Sequence, residues 1–159
     1  MSDTQPVQET GDDIRFLVAV QYIKDLSFES PGAPHSLQPN EVAPQINVQV
    51  DMAATAVGEH GHEVALSLTV DARRAEEQLF LVELTYAGVF VITGVPESGL
   101  RPLLLIEGPK LLFPFARSVI SAAVRDGGFP PLLLQPVDFA ALYRQSLDDS
   151  VSPEATPDP

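Results

Sequence analysis

The sequence RFLVAVQYIKDLSFE, which runs from Arg15 to Glu29, alternates between two sets of side chains. The first set is apolar apart from Lys24 and consists of Phe16, Val18, Val20, Tyr22, Leu26 and Phe28. The second set becomes polar towards its end and consists of Leu17, Ala19, Gln21, Ile23, Asp25, Ser27 and Glu29. Successive side chains of a β-strand point to opposite faces, so the stretch predicts a strand with a core face and an acid-bearing face.

Three further segments share this period of two and complete a predicted sheet. They are QINVQVDMA (residues 45–53), HEVALSLTVD (62–71) and QLFLVELTYAGVFVI (78–92). The short links VGEHGH and ARRAEE suit hairpins, so these three strands are predicted to form an antiparallel meander. The link SPGAPHSLQPNEVAP after the first strand is much longer than a hairpin needs, which indicates a crossover or a functional loop. In the last strand one predicted face carries Leu79, Leu81, Glu83 and Thr85, and the other carries Phe80, Val82, Leu84 and Tyr86.

After Thr93 the apolar spacing becomes helical. Within GLRPLLLIEGPKLLFPFARSVISAAVRDGG, separations of three and four residues join Leu112, Phe115, Ala116, Val119, Ile120 and Ala123. We expect a break at Gly108–Pro109, Pro114 in the first turn of the longer helix, and an end at Gly127–Gly128. The segment VDFAALYRQSLDD predicts a final helix with Asp138 as its N-cap. The fold class is therefore α+β, with four antiparallel strands followed by C-terminal helices packed on one face. The long helix is apolar over much of its circumference, which favours self-association.

The composition is that of a globular protein with a strong negative charge. The chain has 159 residues, with 22 acidic and 9 basic side chains and a net charge of −13. Such a chain should repel nucleic acid and anionic membranes and favour a basic partner. The acids concentrate at both ends, so we expect flexible acidic tails at residues 1–14 and 148–159 around a single domain at residues 15–147.

Targeting and redox signals are also informative. The N-terminus MSDTQPVQETGDD is acidic and polar, unlike a signal peptide, and no apolar run approaches the ~20 residues that span a bilayer. The chain has no cysteine, which rules out disulfides and thiolate metal ligands. These features agree with a cytoplasmic protein that does not insert into membranes.

The sequence contains no convincing catalytic or metal-binding pattern. The stretch EHGHE could bring His60, His62 and a carboxylate around a metal, but it lies at a predicted hairpin tip, where such residues usually form a turn. Gly-x-Ser-x-Gly, Walker, Rossmann and HExxH patterns are absent. We therefore expect no metal, no cofactor and no enzymatic activity.

The acids of the first and fourth strands raise a question of partners. If the faces that carry Asp25 and Glu29 and those that carry Leu81 and Glu83 coincide, three acids surround one apolar side chain. This surface is either a solvated sheet face or a docking site for a basic peptide with an apolar anchor. Periodicity alone leaves both interpretations open.

Three blocks, YIKDLSFESPGAPH, EEQLFLVELTYAGVFVITG and LLFPFARSVISAAVRDGGFPPLLLQPVDFAALY, resemble the SecB family of bacterial protein-export chaperones. The resemblance runs in order from about Phe16 to Leu147. It implies a homotetramer, built as a dimer of dimers with the long helices between the dimers. It also implies an ATP-independent chaperone that holds precursor proteins unfolded and delivers them to the SecA motor.

The resemblance further implies two binding sites. An acidic patch that receives the zinc-bearing C-terminal tail of SecA would consist of Asp25, Glu29, Leu81 and Glu83. A groove for unfolded clients would be lined by Val48, Val50, Phe139 and Leu142. The loop from Pro31 to Pro44 would be a flap over it, although it lacks the aromatic residue that family members often carry. Two alternatives are a small-ligand binding protein that uses the apolar sheet face as a pocket and a hydrolase that uses paired carboxylates.

Overall fold

The computed structural model describes residues 13–151 and has four long strands followed by helices. The strands are β1 (Arg15–Glu29), β2 (Gln45–Val57), β3 (Gly61–Arg74) and β4 (Glu77–Thr93). The helices are α1 (Glu97–Pro102), a π-helical turn (Leu103–Glu107), α2 (Gly108–Asp126) and α3 (Phe139–Val151). The predicted α+β class and the C-terminal position of the helices are confirmed.

The strands form one antiparallel sheet in the order β1-β4-β3-β2. The predicted meander of β2, β3 and β4 is therefore correct. Because β1 and β2 occupy opposite edges, the link between them must cross the sheet, which explains its length. A short 3-10 turn, His35–Leu37, lies within this crossover loop.

The helices cover one face of the sheet, which we call the inner face, and the opposite face is the outer face. β3 shows the two environments most clearly, since its residues alternate between buried and partly exposed from Glu63 to Ala72. The buried row of this strand comprises Val64, Leu66, Leu68, Val70 and Ala72. A period of two along a half-covered strand produces this alternation directly.

β1 changes face twice, which its alternating sequence did not reveal. Its register against β4 shifts between Val18 and Val20 and again between Ile23 and Asp25. Each shift is a β-bulge, in which one additional residue reverses the faces of the residues that follow. The second bulge contains Lys24, the residue that interrupts the apolar row in the sequence.

The bulges correct the predicted faces in the middle of β1. Val20 and Tyr22 pair with Val89 and Ala87 of β4 and lie on the outer face, although the sequence pattern predicted the core face for them. Beyond the second bulge the predicted faces return. Leu26 and Phe28 lie on the inner face, and the outer row there consists of Asp25, Ser27 and Glu29.

A third irregularity corrects the position of Leu79. The pairing of Ala72 with Phe80 is followed by that of Arg73 with Gln78, so Leu79 has no partner on β3. The sequence grouped Leu79 with Leu81 on the outer face. In the structure Leu79 is 1% exposed and belongs to the core, because the bulge directs it inwards beside Phe80.

The helical region is continuous from Glu97 to Asp126. The break predicted at Gly108–Pro109 takes the form of the π-helical turn, without a loop. Because α2 already begins at Gly108, Pro114 lies inside the helix and not in its first turn, contrary to the prediction. Gly127 caps the C-terminal end of α2 as predicted, followed by Gly128 with a φ of +90°.

α2 lies closely against the inner face. A Cβ atom at Gly88 of β4 would come within 3.0 Å of a methyl group of Leu112, so glycine permits this close approach. Stacked rings of Phe16 and Phe90, with centroids 5.0 Å apart, extend the core towards β1. The side chains of α2 that complete the core are Leu112, Phe113, Ala116, Ile120 and Val124.

α3 begins as the sequence predicts. The side chain of Asp138 accepts a hydrogen bond from the backbone N–H of Ala141 at 3.0 Å, the contact of an N-cap. The helix continues to Val151, so residues 148–151, which the sequence assigned to a tail, are helical. The remaining tail residues, 1–12 and 152–159, lie outside the described residues. No helix in residues 13–151 is long and apolar enough to cross a membrane.

Candidate protein-binding sites

The outer face brings together the four residues of the predicted acidic patch. Glu29 pairs with Leu81 across β1 and β4, and Ser27 pairs with Glu83. Asp25 lies further along the same row, opposite Thr85. Asp25 and Glu29 are four residues apart, so the patch is about 13 Å long, and Glu83 lies one strand, about 5 Å, to the side. We use "acidic patch" for Asp25, Glu29, Leu81 and Glu83.

The three carboxylates of the acidic patch are exposed, and Leu81 is half-buried among them. Glu83 accepts a long hydrogen bond of 3.4 Å from the hydroxyl of Ser27. Within residues 13–151 none of the three carboxylates forms an ion pair. The patch therefore presents uncompensated negative charge beside an apolar side chain, which suits a basic peptide with one apolar residue.

An ion pair lies on the outer face beside the patch. The ammonium group of Lys24 donates a hydrogen bond of 2.6 Å to Oε1 of Glu63, and the hydroxyl of Tyr22 donates to Oε2 of the same carboxylate. These two donors hold the pKa of Glu63 below its ordinary value, with the bond from Lys24 the larger cause. The hydrogen bond to Glu63 is also the main cause that raises the pKa of Tyr22.

A second ion pair lies at the other side of the patch. Nε of Arg73 donates to Oδ2 of Asp71 at 3.0 Å, and the amide of Gln78 donates to Oδ1 at 2.9 Å. These bonds lower the pKa of Asp71, with the bond from Gln78 the larger cause. Since Asp71 pairs directly with Leu81, this ion pair borders the acidic patch.

The inner face carries an apolar groove at the β2 edge. Its cavity of about 510 Å³ lies between β2 and the extended segment that precedes α3. The side chains that line it are Ile46, Val48, Val50 and Phe113, together with residues 132–137. Val48 and Val50, two of the four residues predicted for the client site, line this cavity. Leu133, 68% exposed, provides apolar surface at its rim.

Phe139 and Leu142, the other two residues predicted for the client site, do not line this cavity. Phe139 is 4% exposed, and its ring packs edge-on against Phe113 with centroids 5.9 Å apart. Leu142 is partly buried against the core. The first turn of α3 therefore packs the helix against the hydrophobic core. The apolar run LLLQPV, residues 132–137, forms the wall of the cavity that faces β2.

A neighbouring cavity of about 560 Å³ continues the groove beneath the crossover loop. Residues 40–44 of that loop form one wall, and Phe129 to Leu132 form the opposite wall. Ile46 and Leu132 line both cavities, so the two form one apolar surface. Phe129 supplies an aromatic ring there, although the loop itself has none.

The EHGHE stretch does not bring its second carboxylate to its histidines, although Glu59, His60 and His62 border one shallow cavity. His62 pairs with Phe90 in the row of the inner face, whereas Glu63 contacts Tyr22 and Lys24 on the outer face. Consecutive strand residues point in opposite directions, so the sheet separates these two candidate ligands. In residues 13–151 no group of three or more His, Asp or Glu side chains could hold a metal ion.

One face of the sheet thus carries an apolar groove, and the other carries an exposed acidic patch. A family model described as "Preprotein translocase subunit SecB" matches residues 9–150. The chain therefore belongs to the SecB family of protein-export chaperones.

Individual relatives agree with this assignment. The chain is 56% identical over 131 residues to protein-export protein SecB of Rhodopseudomonas palustris strain TIE-1, covering 82% of this chain and 83% of that protein. It is 48% identical to protein-export protein SecB of Nitrobacter winogradskyi, covering 94% of each chain.

One solved structure has a similar fold. It is a SecB-like chaperone of Mycobacterium tuberculosis in complex with a ChAD peptide from the HigA1 antitoxin. The TM-score is 0.66 at 15% sequence identity, and the match covers 77% of this chain and 91% of that one. The similarity supports the sheet-and-helix architecture.

Proposed function

We propose that this chain is an ATP-independent holdase of the bacterial cytoplasm, which keeps precursor proteins unfolded and delivers them to the SecA motor. The observation that carries the proposal is the separation of two unlike surfaces on one rigid sheet, in a chain of the SecB family. The apolar groove is on the inner face and the acidic patch is on the outer face. A protein with this arrangement can hold a client and contact a motor at the same time, without chemical catalysis.

Clients would bind in the apolar groove. Val48, Val50 and Leu133 offer apolar area that an extended client could cover, and burial of such area is favourable without a particular sequence. The peptide bound to the SecB-like chaperone of Mycobacterium tuberculosis supports peptide binding as a property of this architecture. Several weak contacts along one client would combine into firm retention.

SecA would bind the acidic patch through its zinc-bearing C-terminal tail. The exposed carboxylates of Asp25, Glu29 and Glu83 favour a basic segment, and Leu81 offers it an apolar contact. The zinc belongs to the SecA tail, so this chain would need no metal. Because the charges are exposed, salt should weaken the contact.

The active form would be a homotetramer, assembled as a dimer of dimers. Apolar side chains remain uncovered on the inner side of the single chain, on α2 and on β1. They are Leu111 and Phe115 of α2 and Ile23 and Leu26 of β1, and Phe115 is 49% exposed. A second copy would bury this surface. Four chains of 17.1 kDa give about 68 kDa, and native mass spectrometry checks this value.

The deciding experiment compares Glu83→Lys with the wild-type chain. SecA from Rhodopseudomonas palustris serves as the motor, and an unfolded precursor serves as the client. We expect the affinity for SecA to fall about tenfold or more, since charge reversal replaces attraction with repulsion, while client affinity stays within about twofold. Asp25→Ala should weaken SecA binding less. Equal loss of both activities with the tetramer intact would refute the separation of the two sites.

A further inference from the structure

The bases closest to the acidic patch are both occupied by acids of the same chain. Lys24 immediately precedes Asp25 and contacts Glu63, and Arg73 contacts Asp71 beside the patch. Arg15 also lies on the outer face, but it pairs with Thr93. That position is eight residues along β4 from Thr85, or about 26 Å from the row of Asp25. Whether the acids of the patch stay unpaired therefore depends on where the side chain of Lys24 is held.

The sheet allows Lys24 to reach two strands across. The row that joins β1, β4 and β3 there consists of Tyr22, Ala87 and Ala65. The two alanines have short side chains, which leaves room above β4 for the side chains of Tyr22 and Lys24 to meet Glu63. The bulge that contains Lys24 removes it from regular pairing and adjusts its direction.

Without Glu63, Lys24 would have a different nearest acid. Its ammonium group is carried by a flexible four-carbon chain, and the exposed carboxylate of Asp25 belongs to the next residue. A released Lys24 would lie within one Debye length, about 8–10 Å, of the patch and would lower its negative potential. We propose that Glu63, with Tyr22, positions Lys24 away from Asp25 and so keeps the acidic patch open to a basic partner.

Glu63 is suited to this task because both of its oxygens are engaged. One oxygen accepts from Lys24 and the other from Tyr22, which fixes the orientation of the carboxylate. The same bonds lower the pKa of Glu63, which shows that they favour its ionised form. Glu63 itself is not part of the acidic patch, since its row on β4 is that of Val89, four residues from Thr85. This inference rests on the proposed binding of SecA to the patch.

The test is a double-mutant cycle of Glu63→Gln and Lys24→Met, with the affinity for Rhodopseudomonas palustris SecA as the readout. We expect Glu63→Gln to weaken binding about fivefold and Lys24→Met alone to change it by less than about twofold. In the Glu63→Gln background, Lys24→Met should restore the affinity to within about twofold of wild type. Client binding and native mass should be the same for all four proteins.

Asp51→Asn provides the matched control for the loss of one negative charge. Asp51 lies on the outer face in the row of Ser67, Thr85 and Asp25. It is about 14 Å from Asp25, compared with about 16 Å for Glu63, from the strand spacings. We expect this variant to weaken SecA binding by less than about twofold.

The outcomes separate this inference from the proposed function. Additive effects of Glu63→Gln and Lys24→Met, or equal effects of Glu63→Gln and Asp51→Asn, overturn the positioning role even if Glu83→Lys abolishes SecA binding. Failure of the wild-type chain to bind SecA overturns both proposals.

Discussion

The inner and outer faces of the sheet use the same four strands but are stabilised by different interactions. On the inner face, Leu66 and Leu68 of β3 are almost completely buried under α2. On the outer face, the alternate residues of the same strand form polar pairs, such as Ser67 with Thr85 at 3.2 Å. Burial of apolar area carries more stability than partly exposed hydrogen bonds, so the inner face holds the fold together and the outer face is free for recognition.

Substitutions at two neighbouring residues of β3 test this difference between the faces. They have the largest effect that we expect, on the free energy of unfolding. Leu68→Ala removes a side chain that is 1% exposed, and we expect the free energy of unfolding to fall by about 2–5 kcal/mol. Thr69→Ala, one residue away on the outer face, should change it by less than about 1 kcal/mol. Urea denaturation at one fixed protomer concentration measures both, since assembly contributes to stability.

The comparison fails if the two variants are destabilised equally. Such a result would mean that the outer face is also covered in the folded protein. A native mass that is unchanged in both variants shows that the difference arises within the sheet and not from loss of assembly.

A charge introduced on either face of β2 tests whether the two proposed binding surfaces are independent. Val48→Asp puts a carboxylate into the apolar groove, where clients would have to desolvate it, and we expect client affinity to fall about tenfold. Asn47→Asp adds the same charge one residue away, where the pairing with Asp71 identifies the outer face. Fluorescence anisotropy with a labelled unfolded precursor measures both variants.

Asn47→Asp is the control for net charge. It should leave client affinity within about twofold of wild type, and SecA affinity should be unchanged in Val48→Asp. Similar loss of client binding in both variants would show that clients respond to the overall negative charge and not to the groove.

The sequence predicted the regular parts of both faces and failed where strands become irregular. β3 and the part of β4 from Phe80 to Tyr86 alternate regularly between the two faces, so each residue there is on its predicted face. In β1 and at Leu79, bulges invert the faces, and periodicity cannot detect one additional residue when both faces are apolar. Lys24 was the one available signal, since a base within an apolar row marks the second bulge.

The candidate sites show the same limit. The period of two predicted which residues share a face with Asp25 and Glu29 and with Leu81 and Glu83, and the family resemblance joined them into one patch; the pairing register shows that the two faces coincide. The packing of Phe139 on Phe113 was not predictable, because it depends on the approach of α3 to α2, and the role of Phe139 in client binding stays a prediction. Likewise the contact between Lys24 and Glu63 joins residues 39 positions apart, and only the strand order brings them together.

The smallest expected effect concerns the titration of Tyr22, one of three tyrosines in the chain. Its bond to Glu63 raises its pKa above the ordinary value of 10.0, because the ionised phenol would lie beside a carboxylate and lose that bond. The neutral phenol is the favoured form in the folded protein. Its contribution to stability is therefore complete below pH 10 and is lost as the pH rises through the raised pKa.

Absorbance titration of the phenolate should detect this shift. The difference between the titration curves of the wild type and Tyr22→Phe gives the transition of Tyr22. This transition should lie above the ordinary value of 10.0. In Glu63→Gln the Tyr22 transition should return towards 10.0, since the carboxylate is gone. Lys24→Met keeps the carboxylate and removes the cation, so Tyr22 should then ionise at a pH no lower than in the wild type. A Tyr22 transition that is identical in wild type and Glu63→Gln would show that Glu63 does not bond to Tyr22 in solution. The orientation of Glu63, which holds Lys24 away from Asp25, would then rest on the bond from Lys24 alone.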